Sequence, residues 1–196
     1  MNKNLYVRFV AFATIIVAIV IVIVTIKEPT GSNFSKIYSN RKEGFSIKIP
    51  ENFKTDESYS YQALGPGKEI KGIKFGVPVL LSNGTNLSDD SYISVEEIPK
   101  TSECSASLFL SAGAKTNNME DNNTPYSKGF LSDAAAGNRY DETVYAIPGT
   151  NPCLAIRYFI HYGAIENYPA GSIKQFDEQA LINLFNGIRR TLVLNQ

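Results

Sequence analysis

The sequence predicts an α+β domain behind a single membrane-spanning helix. Three observations lead to this prediction: an unbroken apolar run near the N-terminus, segments of alternating apolar and polar residues through the middle, and one amphipathic segment near the C-terminus. Alternating segments form strands with one buried face, and a helix with one apolar face packs on such a sheet. The predicted architecture is therefore an antiparallel β-sheet packed by helices in a layered sandwich.

The apolar run covers residues 9–26, FVAFATIIVAIVIVIVTI, and carries no charge. A helix of this length is roughly 27 Å long, close to the hydrocarbon thickness of a bilayer. The run is longer than the roughly 7–15 apolar residues of a typical signal peptide, and no small-x-small cleavage site follows it. We therefore expect an uncleaved transmembrane helix, with a cleaved signal peptide as the alternative.

The flanking charges predict the orientation of this helix. Lys3 and Arg8 precede the run without an acidic neighbour, whereas Lys27 is followed by Glu28. The positive-inside rule then places residues 1–8 in the cytoplasm. The predicted organisation continues with the transmembrane helix at 9–26, a tether at 27–40 and an extracytoplasmic domain at 41–196. The lipid bilayer is thus the first expected partner of a single-pass cell-membrane protein.

The charge balance argues against nucleic acid as a partner. The chain has 19 Lys and Arg residues and 19 Asp and Glu residues. Because three of the basic residues precede position 28, residues 28–196 keep 16 basic and 19 acidic residues, a net charge of −3. A mildly acidic domain lacks the basic surface with which proteins neutralise phosphates.

Local patterns place the main elements of the domain. Residues 154–162 are the clearest strand, with even-numbered residues on one face and odd-numbered residues on the other. A short helix is predicted over 101–113, where Ser102 can cap the first turn, and residues 115–127 are predicted to be a loop or a hairpin tip. The terminal helix is predicted to follow Asp177, and one face presents Leu181, Leu184, Phe185, Ile188 and Leu192.

Residues 38–53, YSNRKEGFSIKIPENF, resemble the entry strand of PsbP-like domains. That strand follows a Tyr- and Asn-rich turn, begins with Gly-Phe, alternates, and ends in Pro-x-x-aromatic; Phe53 stands where Trp is commoner. The family is named for an extrinsic lumenal protein of photosystem II and includes small exported bacterial proteins. The resemblance implies a PsbP-like layered sandwich, but it identifies no functional residue and so no activity.

Two cysteines, Cys104 and Cys153, lie 49 positions apart. An even number of cysteines in an oxidising compartment predicts a disulfide between them. Two free buried thiols are the alternative, because unpaired cysteine is also commonly buried.

Arg157 and His161 are the residues that we predict to bind a ligand. They lie four positions apart on one strand and project from the same face, where Arg157 can receive an anion or a carboxylate on its fork of donors. The alternative is an exposed arginine beside a partly buried histidine. One loop offers oxygen atoms to Ca²⁺ from Asn83, Asn86, Asp89 and Asp90, but the spacing is not that of an EF-hand.

The remaining motifs do not specify an activity. The sequence has no phosphate-binding loop, no Gly-x-Ser-x-Gly and no His-Glu-x-x-His, and we expect no metal and no cofactor. The expected function is that of a binding or structural module that contacts an envelope protein partner. The alternatives are a hydrolase-like envelope enzyme that uses Arg157 and His161, or a domain that binds a small ligand or a metal.

Overall fold

The computed structural model describes residues 36–195, which form two antiparallel sheets. The strands are β1 (Lys36–Asn40), β2 (Phe45–Ile49), β3 (Lys54–Asp56), β4 (Ser60–Tyr61), β5 (Ile70–Gly76), β6 (Tyr92–Ile98), β7 (Lys115–Asp121), β8 (Thr124–Ala135), β9 (Asn138–Ala146), β10 (Cys153–Gly163) and β11 (Val193–Leu194). The helices are α1 (Val79–Ser82) and α2 (Glu178–Arg189), with 3₁₀ turns at Ala106–Leu108 and Ile165–Asn167. The small sheet has the order β1-β2-β11, and the large sheet has the order β3-β5-β6-β10-β9-β8-β7, with β4 also paired to β5.

The predicted α+β class is wrong, because the described domain is β-rich. Strands hold 46% of the described residues and helices only 14%. Only α2 among the described helices is longer than one turn and packs against the sheets. Residues of the small sheet and of α2 pack together in the core, where the sequence predicted helices to cover the sheet.

The helix predicted over 101–113 is reduced to the 3₁₀ turn Ala106–Leu108. Serine side chains in this segment bond to nearby groups instead of supporting a helix: the Ser105 and Ser107 hydroxyls lie 2.9 Å apart. The backbone N–H of Ala106 donates to Ser127 Oγ at 3.0 Å, which fixes the turn against β8. Local serine hydrogen bonds and an attachment to β8 therefore replace the helical ladder.

Two hairpins enlarge the sheet, and the first of them lies in residues 115–127, which the sequence predicted to be a loop or a hairpin tip. β7 and β8 join through Asn122 and Asn123, and both residues have positive φ, at 52° and 60°. β8 and β9 join in the same way through Ala136 and Gly137, at 49° and 81°. Positive φ at both central residues is the geometry of the two-residue hairpin turns whose twist matches that of paired strands. Asparagine tolerates this geometry, so the Asn-rich segment turns within two residues.

β10 lies at the centre of the large sheet between β6 and β9. Its even-numbered residues Ile156, Tyr158 and Ile160 are buried in the main core, which confirms the predicted alternation. This core fills the space between the large sheet, the small sheet and α2. Phe45 and Ile47 enter it from β2, and the other members include Phe75, Ile93, Val95, Leu181, Phe185 and Ile188.

The helix α2 begins and faces the core as predicted. The Asp177 carboxylate accepts a hydrogen bond from the Ala180 backbone N–H at 2.9 Å, which satisfies one of the free donors of the first turn. Leu181, Phe185 and Ile188 are buried. Arg189, in the last turn, is also buried and lies over the rings of Tyr126 and Tyr145 at 4.7 and 4.2 Å.

A smaller core lies on the opposite face of the large sheet. It contains Tyr61, Phe109, Val144 and Ala155, together with Cys104 and Cys153. The two cysteines form a disulfide, with their Cα atoms 5.1 Å apart. The disulfide and this core hold the 101–113 segment over the sheet.

The predictions for residues 1–26 lie outside the described residues. Between 36 and 195, no helix is long and apolar enough to cross a membrane. The predicted tether, 27–40, overlaps the described part at residues 36–40, and these form β1.

Candidate functional site

A cleft of 760 Å³ opens between the small sheet and one edge of the large sheet. Its walls come from five parts of the chain: residues 38–45 of β1, β2 and the turn between them, residues 57–60 up to the start of β4, residues 71–73 of β5, residues 95–97 of β6, and Leu154 of β10. β3 and β4 both pair with β5, but the regular ladder is interrupted between Lys71 and Lys74, where the Gly72 N–H donates to the Tyr59 carbonyl at 3.2 Å. The cleft lies at this interruption of the sheet edge. Its volume is within the range of about 300–1,000 Å³ found for small-molecule sites.

The cleft combines an apolar floor with a charged rim. Phe45, Ile73 and Val95 are buried and belong to the main core. Arg41 and Lys71 are exposed and make no salt bridge to a described residue within 4.0 Å. Burial and a hydrogen bond to Glu57 raise the pKa of Tyr38 to about 12, so this phenol stays protonated and can donate. Such a site offers a ligand apolar contacts, hydrogen-bond donors and hydrogen-bond acceptors.

Two carboxyl groups, those of Glu43 and Glu97, share a hydrogen bond at the end of the cleft. Glu43 belongs to the turn between β1 and β2, and Glu97 to β6, so the pair joins the two sheets. Burial, and then Glu43, raise the pKa of Glu97 to about 7, while the hydrogen bond to Glu97 and Lys42 lower the pKa of Glu43. The Lys42 ammonium lies 2.6 Å from Glu43 Oε1. The pair therefore shares one proton between pH 4.5 and about 7 and loses it as the pH rises further.

This carboxyl pair predicts that stability falls as pH rises from 4.5 to about 7. In that window Glu97 is ionised in the unfolded chain and protonated in the folded chain, so the folded state binds more protons and loses stability as pH rises. Glu97→Gln removes this titration, and we expect its denaturation midpoint to vary less with pH across the window. The measurement is urea unfolding at several pH values, with the exposed Glu120→Gln as the control. An unchanged pH profile in Glu97→Gln would contradict the proton-sharing pair.

Gly72 lets β5 and β6 approach each other beside the cleft. A Cβ atom at this position would lie 2.5 Å from the carbonyl oxygen of Val95 and 3.0 Å from Cγ of Glu96. The first contact is with backbone, which cannot move without disturbing the sheet. Gly76 lies on the same strand, and its added Cβ would meet only the Lys54 carbonyl oxygen, at 3.9 Å.

We expect Gly72→Ala to destabilise the domain by about 1–3 kcal/mol, as overpacking commonly does. Gly76→Ala is the matched control, and we expect it to be neutral or slightly stabilising because alanine restricts the unfolded chain. Urea unfolding of both variants checks the difference. Equal stabilities would show that the strands do not pack as closely as described.

Arg157, one of the predicted ligand-binding residues, is fully buried behind the cleft. Its Nε and Nη2 atoms donate to the two oxygens of Glu96, both at 2.8 Å, and its Nη1 atom pairs with Glu142. Nη2 also donates to the Phe109 carbonyl at 2.6 Å, and the ring of Tyr61 lies 3.5 Å from the guanidinium carbon. The guanidinium is therefore occupied by protein groups.

Further hydrogen bonds satisfy the carboxylates of Glu96 and Glu142, which form a buried cluster with Arg157. Glu96 Oε1 accepts from Ser94 at 2.8 Å and from Tyr59 at 3.0 Å, and Tyr61 donates to Glu142 at 2.9 Å. Burial alone would lower the pKa of Arg157, but Glu96 raises it, with Glu142 adding to the effect, so the guanidinium stays charged. Since Glu96 also lines the cleft, this cluster supports the cleft from behind.

His161 shares a face of β10 with Arg157, but the two have different partners. Its Nδ1 atom lies 2.7 Å from Asp90 Oδ1, and its ring stacks on Tyr140 with centroids 4.4 Å apart. Its Nε2 atom is buried without a hydrogen-bond partner among the described residues. The structure therefore does not combine Arg157 and His161 into one ligand site.

In the asparagine-rich loop, residues 83–90, two of the candidate calcium ligands bind other parts of the protein instead. Asn86 is buried; its amide donates to the Gly163 carbonyl at 2.7 Å and accepts from the Phe176 N–H at 2.9 Å. Asp90 binds His161, as above, while Asn83 and Asp89 are exposed. Between residues 36 and 195, no group of three or more His, Cys, Asp or Glu side chains is placed to hold a metal.

The carboxyl pair of the cleft was not among the residues predicted from the sequence. One signal was available: Glu96 and Glu97 are adjacent acidic residues in the mostly apolar strand YISVEEI. Consecutive residues of a strand point to opposite faces, so one of the two had to face each core. The pairing of Glu97 with Glu43 follows from the packing of the two sheets, which no local pattern shows.

No protein-family model matches this chain, and no curated protein matches it significantly. The resemblance of residues 38–53 to PsbP-like domains therefore stays a prediction.

Proposed function

We propose that this chain is a membrane-anchored extracytoplasmic binding module whose ligand occupies the cleft between the two sheets. The cleft itself is the observation on which the proposal rests, since it joins an apolar floor to a rim of charged and phenolic groups. The sequence of residues 1–28 supports the anchor and its orientation, and the expected partner belongs to the cell envelope.

The test is a thermal-shift panel on the full chain in detergent. The probes are amino acids, amino sugars, glycan fragments, organic phosphates and divalent cations. A probe at about 100 times its Kd stabilises the native state by roughly 2.7 kcal/mol, which raises the Tm by about 5–11 °C for a domain of this size. A panel in which no probe raises the Tm would contradict a small-ligand cleft.

Two matched variants assign any shift to the cleft. Ser58 is exposed and lines the cleft, so Ser58→Trp places a large ring in the opening. Ser172 is exposed in the loop before α2, and Ser172→Trp makes the same change outside the residues that line the cleft. We expect the shift to disappear in Ser58→Trp and persist in Ser172→Trp; a shift that persists in both would place the ligand elsewhere.

One observation favours a second candidate, a hydrolase that uses acid–base catalysis. A carboxyl group with a pKa of about 7 beside an ionised partner is suited to proton transfer at neutral pH. Chromogenic glycosides, esters and phosphodiesters are suitable substrates for the test. An enzyme would lose about 100-fold in rate in Glu97→Gln and retain its rate in Glu120→Gln; absence of turnover in the wild type would leave the binding module as the better proposal.

A further inference from the structure

The dipeptide Asn-Gly occurs twice in the chain, at Asn83-Gly84 and at Asn186-Gly187. In this dipeptide the backbone nitrogen of the glycine can attack the asparagine side chain most easily, because glycine has no Cβ atom to hinder the approach. The attack requires the peptide group between the two residues to rotate and its N–H to be free. The two copies differ in both respects, so the fold decides which of them reacts.

Asn83 and Gly84 are the exposed central residues of a turn that follows α1. The Thr85 N–H donates to the Ser82 carbonyl at 3.0 Å, and the φ of −60° and ψ of 123° at Asn83, followed by a φ of 72° at Gly84, are those of a type II turn. This ψ turns the Gly84 nitrogen away from the Asn83 side chain, and a flip of the peptide group brings it to Cγ.

The peptide group between Asn83 and Gly84 is free to make this flip. Neither the Asn83 carbonyl nor the Gly84 N–H is hydrogen-bonded to a residue between 36 and 195. A Cβ atom added at Gly84 would meet no atom within 4 Å, so the space around the turn is open. Glycine also adopts the backbone angles on both sides of the flip without a steric penalty.

Asn186 and Gly187 lie inside α2, where hydrogen bonds hold the corresponding peptide group. The Asn186 carbonyl accepts from the Arg190 N–H at 3.0 Å, and the helix continues through Gly187 to Arg189. The side-chain oxygen of Asn186 accepts from the Tyr158 hydroxyl at 3.1 Å. Rotation of this peptide group therefore requires the last turn of α2 to open.

We propose that Asn83 is a site of spontaneous deamidation in the folded protein and that the fold protects Asn186. The Gly84 backbone nitrogen loses its proton and bonds to Cγ of Asn83, and the Cγ–Nδ2 bond breaks to release ammonia. Water then opens the resulting succinimide ring at either of its carbonyls, which leaves aspartate or isoaspartate at position 83. Water is the only reactant consumed, and no group is oxidised or reduced. This inference depends neither on the anchor nor on the cleft of the proposed function.

The reaction changes a loop that is bonded to the segment before α2. Both products carry a carboxylate where the chain had a neutral amide, and isoaspartate also adds a methylene group to the backbone beside Gly84. The Gly84 carbonyl accepts from the Lys174 N–H at 2.9 Å, and the Asn86 N–H donates to the Lys174 carbonyl at 3.0 Å. We expect the longer backbone to loosen this attachment as the protein ages.

The test is a time course of the purified full chain in detergent at mildly alkaline pH, which favours loss of the N–H proton. Cleavage after lysine and arginine places Asn83 in peptide 75–100 and Asn186 in peptide 175–189, so mass spectrometry follows each site separately. We expect Asn83 to react at least about tenfold faster than Asn186, since an opening of α2 that costs about 1.4 kcal/mol already slows a rate tenfold.

The same chain unfolded in urea separates the effect of the fold from that of the sequence. There we expect the two sites to react at similar rates, and Asn83→Gln should abolish the fast reaction in peptide 75–100, because glutamine would have to form a larger ring. Equal rates in the folded chain, or a folded Asn83 that stays intact while the unfolded chain reacts, would overturn the proposal.

Amide hydrogen exchange tests the expected loosening of the loop. The aged chain carries one more negative charge, so ion exchange separates it from the fresh chain. We expect the Lys174 N–H to exchange faster in the aged chain because its bond to the Gly84 carbonyl is weakened. Unchanged exchange at Lys174 would overturn the loosening.

Discussion

Replacing Arg157 by Met is expected to destabilise the domain by about 3–5 kcal/mol. The substitution removes every donor that the guanidinium supplies, and the Glu96 carboxylate is left buried without its cation. Glu142, itself buried, loses its ion pair as well. A buried carboxylate without a cation carries most of its desolvation penalty, which is why breaking such a cluster costs more than the cluster contributes when intact.

Urea unfolding measures this loss of stability. Two further variants test whether the loss comes from the buried ion pairs of Arg157. Arg139 is exposed, so Arg139→Met should change stability by no more than about 0.5 kcal/mol. Combining Arg157→Met with Glu96→Gln and Glu142→Gln removes the uncompensated charges and should recover a large part of the loss. A cost below about 1 kcal/mol for Arg157→Met would mean that the guanidinium is not buried among these carboxylates.

Removing the disulfide is the second large expected effect. Cys104 and Cys153 close a loop across 49 positions, and a cross-link of that span stabilises by about 4 kcal/mol in the chain-entropy model. The double variant Cys104→Ser with Cys153→Ser should lose that amount. The loss should centre on the segment 101–113, which the smaller core and the disulfide hold on the sheet.

Reductant provides the control for this prediction. It should lower the urea midpoint of the wild type and leave the midpoint of the double serine variant unchanged, because that variant has no disulfide to reduce. A wild type whose unfolding is insensitive to reductant under denaturing conditions would contradict the bond.

The elements that sequence patterns predicted well are those whose geometry is local. The alternation of β10 and the capped, amphipathic helix α2 follow from residue spacing, and both are confirmed. The predicted proportions of sheet and helix were wrong because two segments take their structure from contacts with residues distant in the sequence. Ser127 and Cys153 hold the 101–113 segment away from a helix, and β8 provides the edge on which residues 115–121 become a strand.

The candidate site was harder to predict for the same reason. Arg157 and His161 do share a face of β10, but neighbouring strands decide what each one meets: Glu96 and Glu142 enclose Arg157, and Asp90 binds His161. The cleft depends on the placement of the small sheet against β5 and β6. Its carboxyl pair joins residues 54 positions apart, Glu43 and Glu97, and neither residue has a local motif.

The most direct test of the central claim is titration calorimetry of the strongest thermal-shift probe against the full chain and its two tryptophan variants. We expect one site per chain, binding of equal affinity in the wild type and Ser172→Trp, and at least about a tenfold loss in Ser58→Trp, since filling a pocket removes both contact area and access. Undiminished binding in Ser58→Trp would contradict the claim that the cleft between the two sheets is the binding site.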